Sequence, residues 1–127
     1  MKIKNQQFGE IEFNKNSILK FENGIFGFEE LKEFVLLDSK EKIFHWLCSI
    51  KEPEIIFPLF LMKVIDKDYP ADEKNEAFGV VALNSDPAKI SINLKAPIYI
   101  NSQDKQGKQV ILDNSKYPVK HYLFVEE

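Results

Sequence analysis

The chain has no arginine; all 17 of its basic residues are lysine. Lysine offers a compact point charge, not the planar fork that grips phosphate or carboxylate at two points, which weighs against sites built on bidentate clamping. Cysteine is almost missing as well. A lone Cys48 leaves no internal disulfide, no Cys-X-X-Cys pair and no Cys/His spacing suited to zinc. Long apolar runs are lacking too: the longest, residues 55–62 (IIFPLFLM), contains Pro58, whereas a membrane span needs about 20 apolar residues. The first residues, MKIKNQQFGEIEF, are polar and alternating, without the apolar stretch of a signal peptide. The expectation is a cytoplasmic protein with no membrane role. Positive charge is not in excess either. With 20 acidic residues the net charge is −3, which argues against direct nucleic-acid binding through phosphate neutralisation.

What is present describes a foldable domain. The chain has 127 residues, 44% of them hydrophobic and 29% charged, enough to bury a core without metal or disulfide staples. Its apolar residues alternate at strand period. Phe8, Ile11 and Phe13 flank Glu10 and Glu12. Phe44, Trp46, Cys48 and Ile50 share one parity, with His45 and Ser49 on the other. Ile90, Ile92 and Leu94 alternate with Lys89, Ser91, Asn93 and Lys95, and Val110 and Leu112 follow a Gln-Gly-Lys-Gln turn. Residues 34–37 and 78–83 are apolar on both parities, as for strands covered on both faces. Turn residues recur at Asn23-Gly24, Gly27, Glu52-Pro53, Ser85-Asp86-Pro87, Gly107 and Asp113-Asn114. Pro58 and Pro97 mark strand edges or bulges. Helical character is confined to residues 28–33 and 71–77. The pattern predicts an all-β, small, open β-barrel-like single domain over residues 1–127, with one or two short helices.

Reactive constellations are sparse. His45 and His121 lie far apart in the chain with no third ligand at metal spacing. Cys48 falls on an apolar parity opposite to the adjacent His45, which opposes a Cys–His dyad and favours an inert buried thiol. Gly24-Ile25-Phe26-Gly27 is too apolar for a phosphate cradle, and no Gly-Lys-Ser/Thr motif occurs. The reading is a non-enzyme with no cofactor and no metal. Acidic loops remain as the candidate functional feature: Asp38 and Glu41 in one turn, and Asp66, Asp68, Asp72 and Glu73 around Tyr69. Such loops on a β scaffold suit binding to a basic protein partner.

A family resemblance sharpens this. Asn93-Leu94-Lys95-Ala96-Pro97-Ile98-Tyr99-Ile100-Asn101, then Gln109-Val110-Ile111-Leu112-Asp113, then Tyr117-Pro118 resemble the second half of the bacterial flagellar assembly factor family FliW. Phe8-Gly9-Glu10-Ile11, the segment Phe21-Glu22-Asn23-Gly24-Ile25-Phe26-Gly27-Phe28-Glu29, and Trp46-Leu47 with Ser49 and Pro53 resemble its first half. The family often has proline where this chain has Asn23 and Phe26. Relatives also commonly carry an acidic helical excursion where this chain has only PADEKNEA after Tyr69.

The resemblance implies a non-enzymatic factor with two partners, CsrA and flagellin. It would bind the RNA-binding translational regulator CsrA and relieve its repression of flagellin mRNA, and unsecreted flagellin would hold it away from CsrA. The candidate partner-binding residues, read from the chain itself, are the acidic set named above together with Tyr69. Two other readings of the residues stand beside it: a nucleic-acid-binding barrel, which predicts salt-sensitive RNA binding, and a small-molecule-binding barrel, which predicts a closed apolar cavity.

Overall fold

Short alternating runs fold here into short strands wound into a ring. The structure, a computed structural model, describes residues 1–38, 44–71, 73–113 and 116–123. Within them lie β1 (Lys2–Asn5), β2 (Gly9–Glu12), β3 (Ile18–Phe21), β4 (Glu33–Asp38), β5 (Phe44–Ser49), β6 (Ile56–Leu61), α1 (Met62–Ile65), β7 (Glu76–Ala82), β8 (Ser91–Ile92), β9 (Ile98–Asn101), β10 (Gln106–Gln109) and β11 (His121–Tyr122). Strands β4 to β7 form an antiparallel meander, with Asp38 opposite His45, Phe44 opposite Phe60 and Leu61 opposite Phe78. β3 joins β4, β10 joins β3 in parallel, and β9 joins β10. Pairing of Glu76, Ala77 and Phe78 with β9 then closes the ring. Beyond that seam β7 pairs with β8, and β8 with β11, as a flap off the barrel. The all-β barrel-like architecture expected from the pattern is therefore present, and closure is what the β7–β9 seam adds.

Three apolar clusters hold this arrangement. Phe21, Phe34, Leu47, Leu59, Phe78 and Ile98, none more than 2% exposed, fill the bore. Burial of each such side chain is worth about 1.5–3 kcal/mol. A second cluster, including Met62, Val81, Ile92, Leu94 and Tyr117, packs α1 and the C-terminal segment onto the outside of β7. A third sets Ile3 and Ile11 of the β1–β2 hairpin over Val35 and Cys48. This explains why 34–37 is apolar on both parities. Phe34 and Leu36 face the bore cluster, while Val35 and Leu37 lie under the hairpin.

Several local expectations are corrected. Residues 71–77 are not a helix among the described residues. Among the described residues the α-turn stands at Met62–Ile65, and Glu76 already begins β7. Residues 28–33 form hydrogen-bonded turns, with Phe28 N–H donating to Ile25 and Leu31 N–H to Phe28. Gln106–Gln109, read as a turn, is itself β10, and the turn lies at 102–105. Asn101 fixes that turn by accepting from the Gln103 and Asp104 amides at 3.0 Å. Only Ser91–Ile92 of the expected 90–94 strand is extended in a ladder, and Asn93 instead caps a turn by accepting from the Lys95 and Ala96 amides. His45 and Ser49 are buried, because β5 is covered on both faces.

Pro58 lies in β6, inside the ring and not at its edge. The Ser49 amide donates to the Ile55 carbonyl, which sets the odd-numbered residues of β6 against β5 and turns Pro58 toward β7. There the ladder begins only at Leu59, so the missing N–H breaks no pairing.

Candidate partner-binding surface

The acidic residues picked out by sequence separate into two groups. Asp66 ends α1 and is already engaged within the fold. Its Oδ1 accepts the Asp68 amide at 2.9 Å, and its Oδ2 accepts the Tyr117 hydroxyl at 3.1 Å with Lys116 Nζ at 3.6 Å. The Asp68 amide is the main reason its carboxyl lies below the usual range, followed by Tyr117 and Lys116, against an opposing effect of burial. Tyr69, expected at the surface, is a core residue with 4% exposure. Its ring meets Tyr117 edge-on at 4.8 Å, its hydroxyl donates to the Leu94 carbonyl, and burial pushes that hydroxyl above the ordinary phenol range. Asp66 and Tyr69 together clip the C-terminal segment to the barrel.

The clip has a pH signature. A carboxylate with a depressed folded pKa stabilises the fold above its unfolded pKa, and that stabilisation is lost as pH falls through the folded value. Wild type should therefore melt above Asp66→Asn at neutral pH, and the two should converge in acid below the ordinary aspartate range. Melting curves across that interval test this; a gap independent of pH would remove the charge of Asp66 from the clip.

Asp68 and Glu73 are exposed, and so is Asp38. Glu41 and Asp72 lie outside the described residues. Strand registers bring the exposed acids to one end of the barrel. The connection bearing Asp68 and Glu73 leaves from Leu61 and returns at Glu76, and Asp38 ends β4 at the same end of the barrel, with β5 between β4 and β6. Asp104, in the β9–β10 turn, also belongs to this end.

The bore opens at the same end as a pocket of about 400 Å³ whose polar rim is Asp38, His45, Glu76 and Ser102. His45 Nδ1 donates to Asp38 Oδ1 at 2.7 Å, and its ring stands edge-on to Phe78 at 5.0 Å. Sequence reasoning missed Glu76, because residues 71–77 read as helix. Its shared parity with Phe78 and Val80 was the available signal.

Deeper chemistry is limited. Among the described residues no three His, Cys, Asp or Glu side chains gather as a metal site. Cys48 is buried, its Sγ contacts the Pro53 carbonyl at 3.4 Å, and burial followed by the charge of Glu54 raises its thiol pKa, which suppresses the reactive thiolate. Among the described residues the bore is filled by Phe21, Phe34, Leu47, Leu59, Phe78 and Ile98, in place of the open chamber a ligand-carrying barrel keeps. No helix among the described residues is long and apolar enough to cross a membrane.

These features define a small closed β-barrel with a packed interior, a pocket bordered by Asp38, His45, Glu76 and Ser102 at one end, and flanks covered by a hairpin and a clipped C-terminal segment. The family model for FliW protein matches residues 2–77 and 70–123. The chain is 35% identical to the flagellar assembly factor FliW of Caldicellulosiruptor bescii, with 96% of this chain and 90% of that protein covered. It is 41% identical to that of Clostridium botulinum strain Alaska E43, with 93% and 94% covered. A crystal structure of the flagellar assembly factor FliW superposes with a TM-score of 0.89 at 33% identity, over 100% of this chain and 99% of the other. The chain belongs to the FliW family of flagellar assembly factors. The two matched segments overlap at 70–77, the stretch that reads as short from the sequence. Alignment with the Clostridium botulinum strain Okra protein runs over 142 positions against the 127 residues of this chain, so that relative carries residues this chain lacks.

Proposed function

We propose that this protein is a cytoplasmic, non-enzymatic partner switch, binding the translational regulator CsrA and, in exclusion of it, flagellin. Released from flagellin, it would relieve CsrA's repression of flagellin mRNA. Near-full-length similarity to proteins named flagellar assembly factors carries this reading. Exposed acids at one rim, interleaved with Lys63, Lys67, Lys74 and Lys105, are the groups available to a basic regulator. Exclusive partners also call for complexes that exchange readily, hence moderate affinity for each. Calorimetric titration with the host CsrA, with flagellin, and with each after saturation by the other is the direct test. Mutual suppression is the expected result. Binding to neither would leave the shared scaffold without this role, and salt-sensitive RNA binding by the protein alone would favour a nucleic-acid module.

Among the described residues of this connection, Asp68 and Glu73 are the exposed members of the acidic set, whereas reversing Asp66 would also open the clip. The double variant Asp68→Lys/Glu73→Lys should slow association with CsrA about tenfold at low salt and flatten its ionic-strength dependence. Stopped-flow association rates unchanged across a salt series would remove these two acids from the encounter surface.

A further inference from the structure

The pocket at the open end of the barrel carries a more specific recognition chemistry. Its floor is apolar, formed by Leu36, Leu61, Phe78 and Ile100. Its two carboxylates stand on opposing walls: around the ring, Asp38 on β4 and Glu76 on β7 are three strands apart one way and four the other. Neighbouring strands lie about 4.8 Å apart, so the two groups face each other across the mouth and not along one wall. Glu76 makes no ion pair among the described residues, and Asp38 pairs with His45. No lysine is among the described residues that line the pocket. A fitting occupant thus has an aliphatic stem for the floor and a cationic end able to address two separated carboxylates.

Arginine meets both requirements. Its stem packs on apolar surface, and its planar guanidinium donates in two directions at once, whereas a lysine ammonium concentrates its charge at one point. The chain contains no arginine, so the side chain has to arrive from another molecule. We propose that the barrel mouth is a socket for one arginine side chain of a protein partner, its guanidinium held between Asp38 and Glu76. His45 serves as a positioning residue, holding the Asp38 carboxylate over the opening. The inference deepens, and rests on, the partner-binding reading above.

The intact chain can be titrated with N-acetyl-arginine amide, N-acetyl-lysine amide and N-acetyl-citrulline amide, following backbone amides by heteronuclear NMR. Arginine amide should give saturable shifts at Glu76, Phe78 and Ile100. The neutral citrulline isostere should bind at least about tenfold more weakly, and Glu76→Gln should lose about tenfold for arginine amide, each reflecting one lost charge-assisted contact. Asp38→Asn provides an independent second variant, and the dispersion of each variant's spectrum reports its fold. Absence of saturable shifts at these residues, or equal binding of lysine or citrulline, would overturn the socket. Arginine amide bound in the mouth without any CsrA or flagellin complex would keep the socket and remove the proposed partners. Partner complexes in a protein whose mouth ignores arginine would do the reverse.

Discussion

Gly107→Ala should lower the stability of the barrel by about 3 kcal/mol, at the upper end of overpacking costs. Gly107 sits in β10 directly opposite Phe21 of β3, at the parallel seam. A Cβ there would lie 2.2 Å from Phe21 Cζ, with two further ring carbons within 2.7 Å. The ring has nowhere to go: Phe21 is fully buried and packs edge-on against Phe34 at 5.2 Å. The methyl must therefore push β10 from β3, where only two residue pairs hold the seam. The same crowding makes the two sites non-additive. In a Phe21→Leu background the penalty of Gly107→Ala should fall below about 1 kcal/mol, because the smaller side chain frees the space a methyl needs. Urea midpoints of the four proteins in the cycle measure this, and additive losses would show that the contact is not what fixes the glycine.

A comparable loss, about 3 kcal/mol, is expected for Gly24→Ala, while Gly27→Ala in the next turn of the same motif should cost only about 1–2 kcal/mol. Both glycines have positive φ, +67° and +87°, and an alanine at either would bear the left-handed strain of an L-residue. They differ in what surrounds them. A Cβ on Gly24 would come within 2.6–2.8 Å of the backbone of Glu29, whereas one on Gly27 meets nothing within 4 Å. Backbone gives way far less readily than a side chain, and this backbone is tied down. Gly24 N–H donates to Phe21, Phe26 N–H donates to Gln109 Oε1, and Ile25 between them is 2% exposed. Thermal melts of the two single variants decide the matter. Equal costs would mean that φ alone sets the requirement for glycine in this loop.

That Gly24 and Gly27 need unusual torsions is legible in the sequence, because glycines between turn residues and apolar anchors are how a tight reversal is written. That Gly107 is a packing glycine is not: by pattern it belongs to a polar turn, and only the approach of Phe21 from a strand far away in the chain gives it its role. The acidic site divides along the same line. Exposed carboxylates on loops follow from the residues, yet Asp66 reads like Asp68 until Tyr117 and Lys116 are folded onto it.

By itself the sequence determined the strand-rich class, the two-sided burial of residues 34–37, the inert setting of Cys48, the turn at Asn23-Gly24, and the family. Each of these rests on local periodicity, short-range side-chain-to-backbone bonding or ordered motif spacing, which the linear chain contains in full. Closure of the barrel, burial of His45 and Tyr69, the start of β7 at Glu76 and the opposition of Asp38 and Glu76 were decided only in three dimensions. Ring closure depends on β9 meeting β7, and the side of a strand that ends up covered depends on which distant segment lies against it. Those contacts join residues far apart in sequence, so their energies leave no period or motif along the chain.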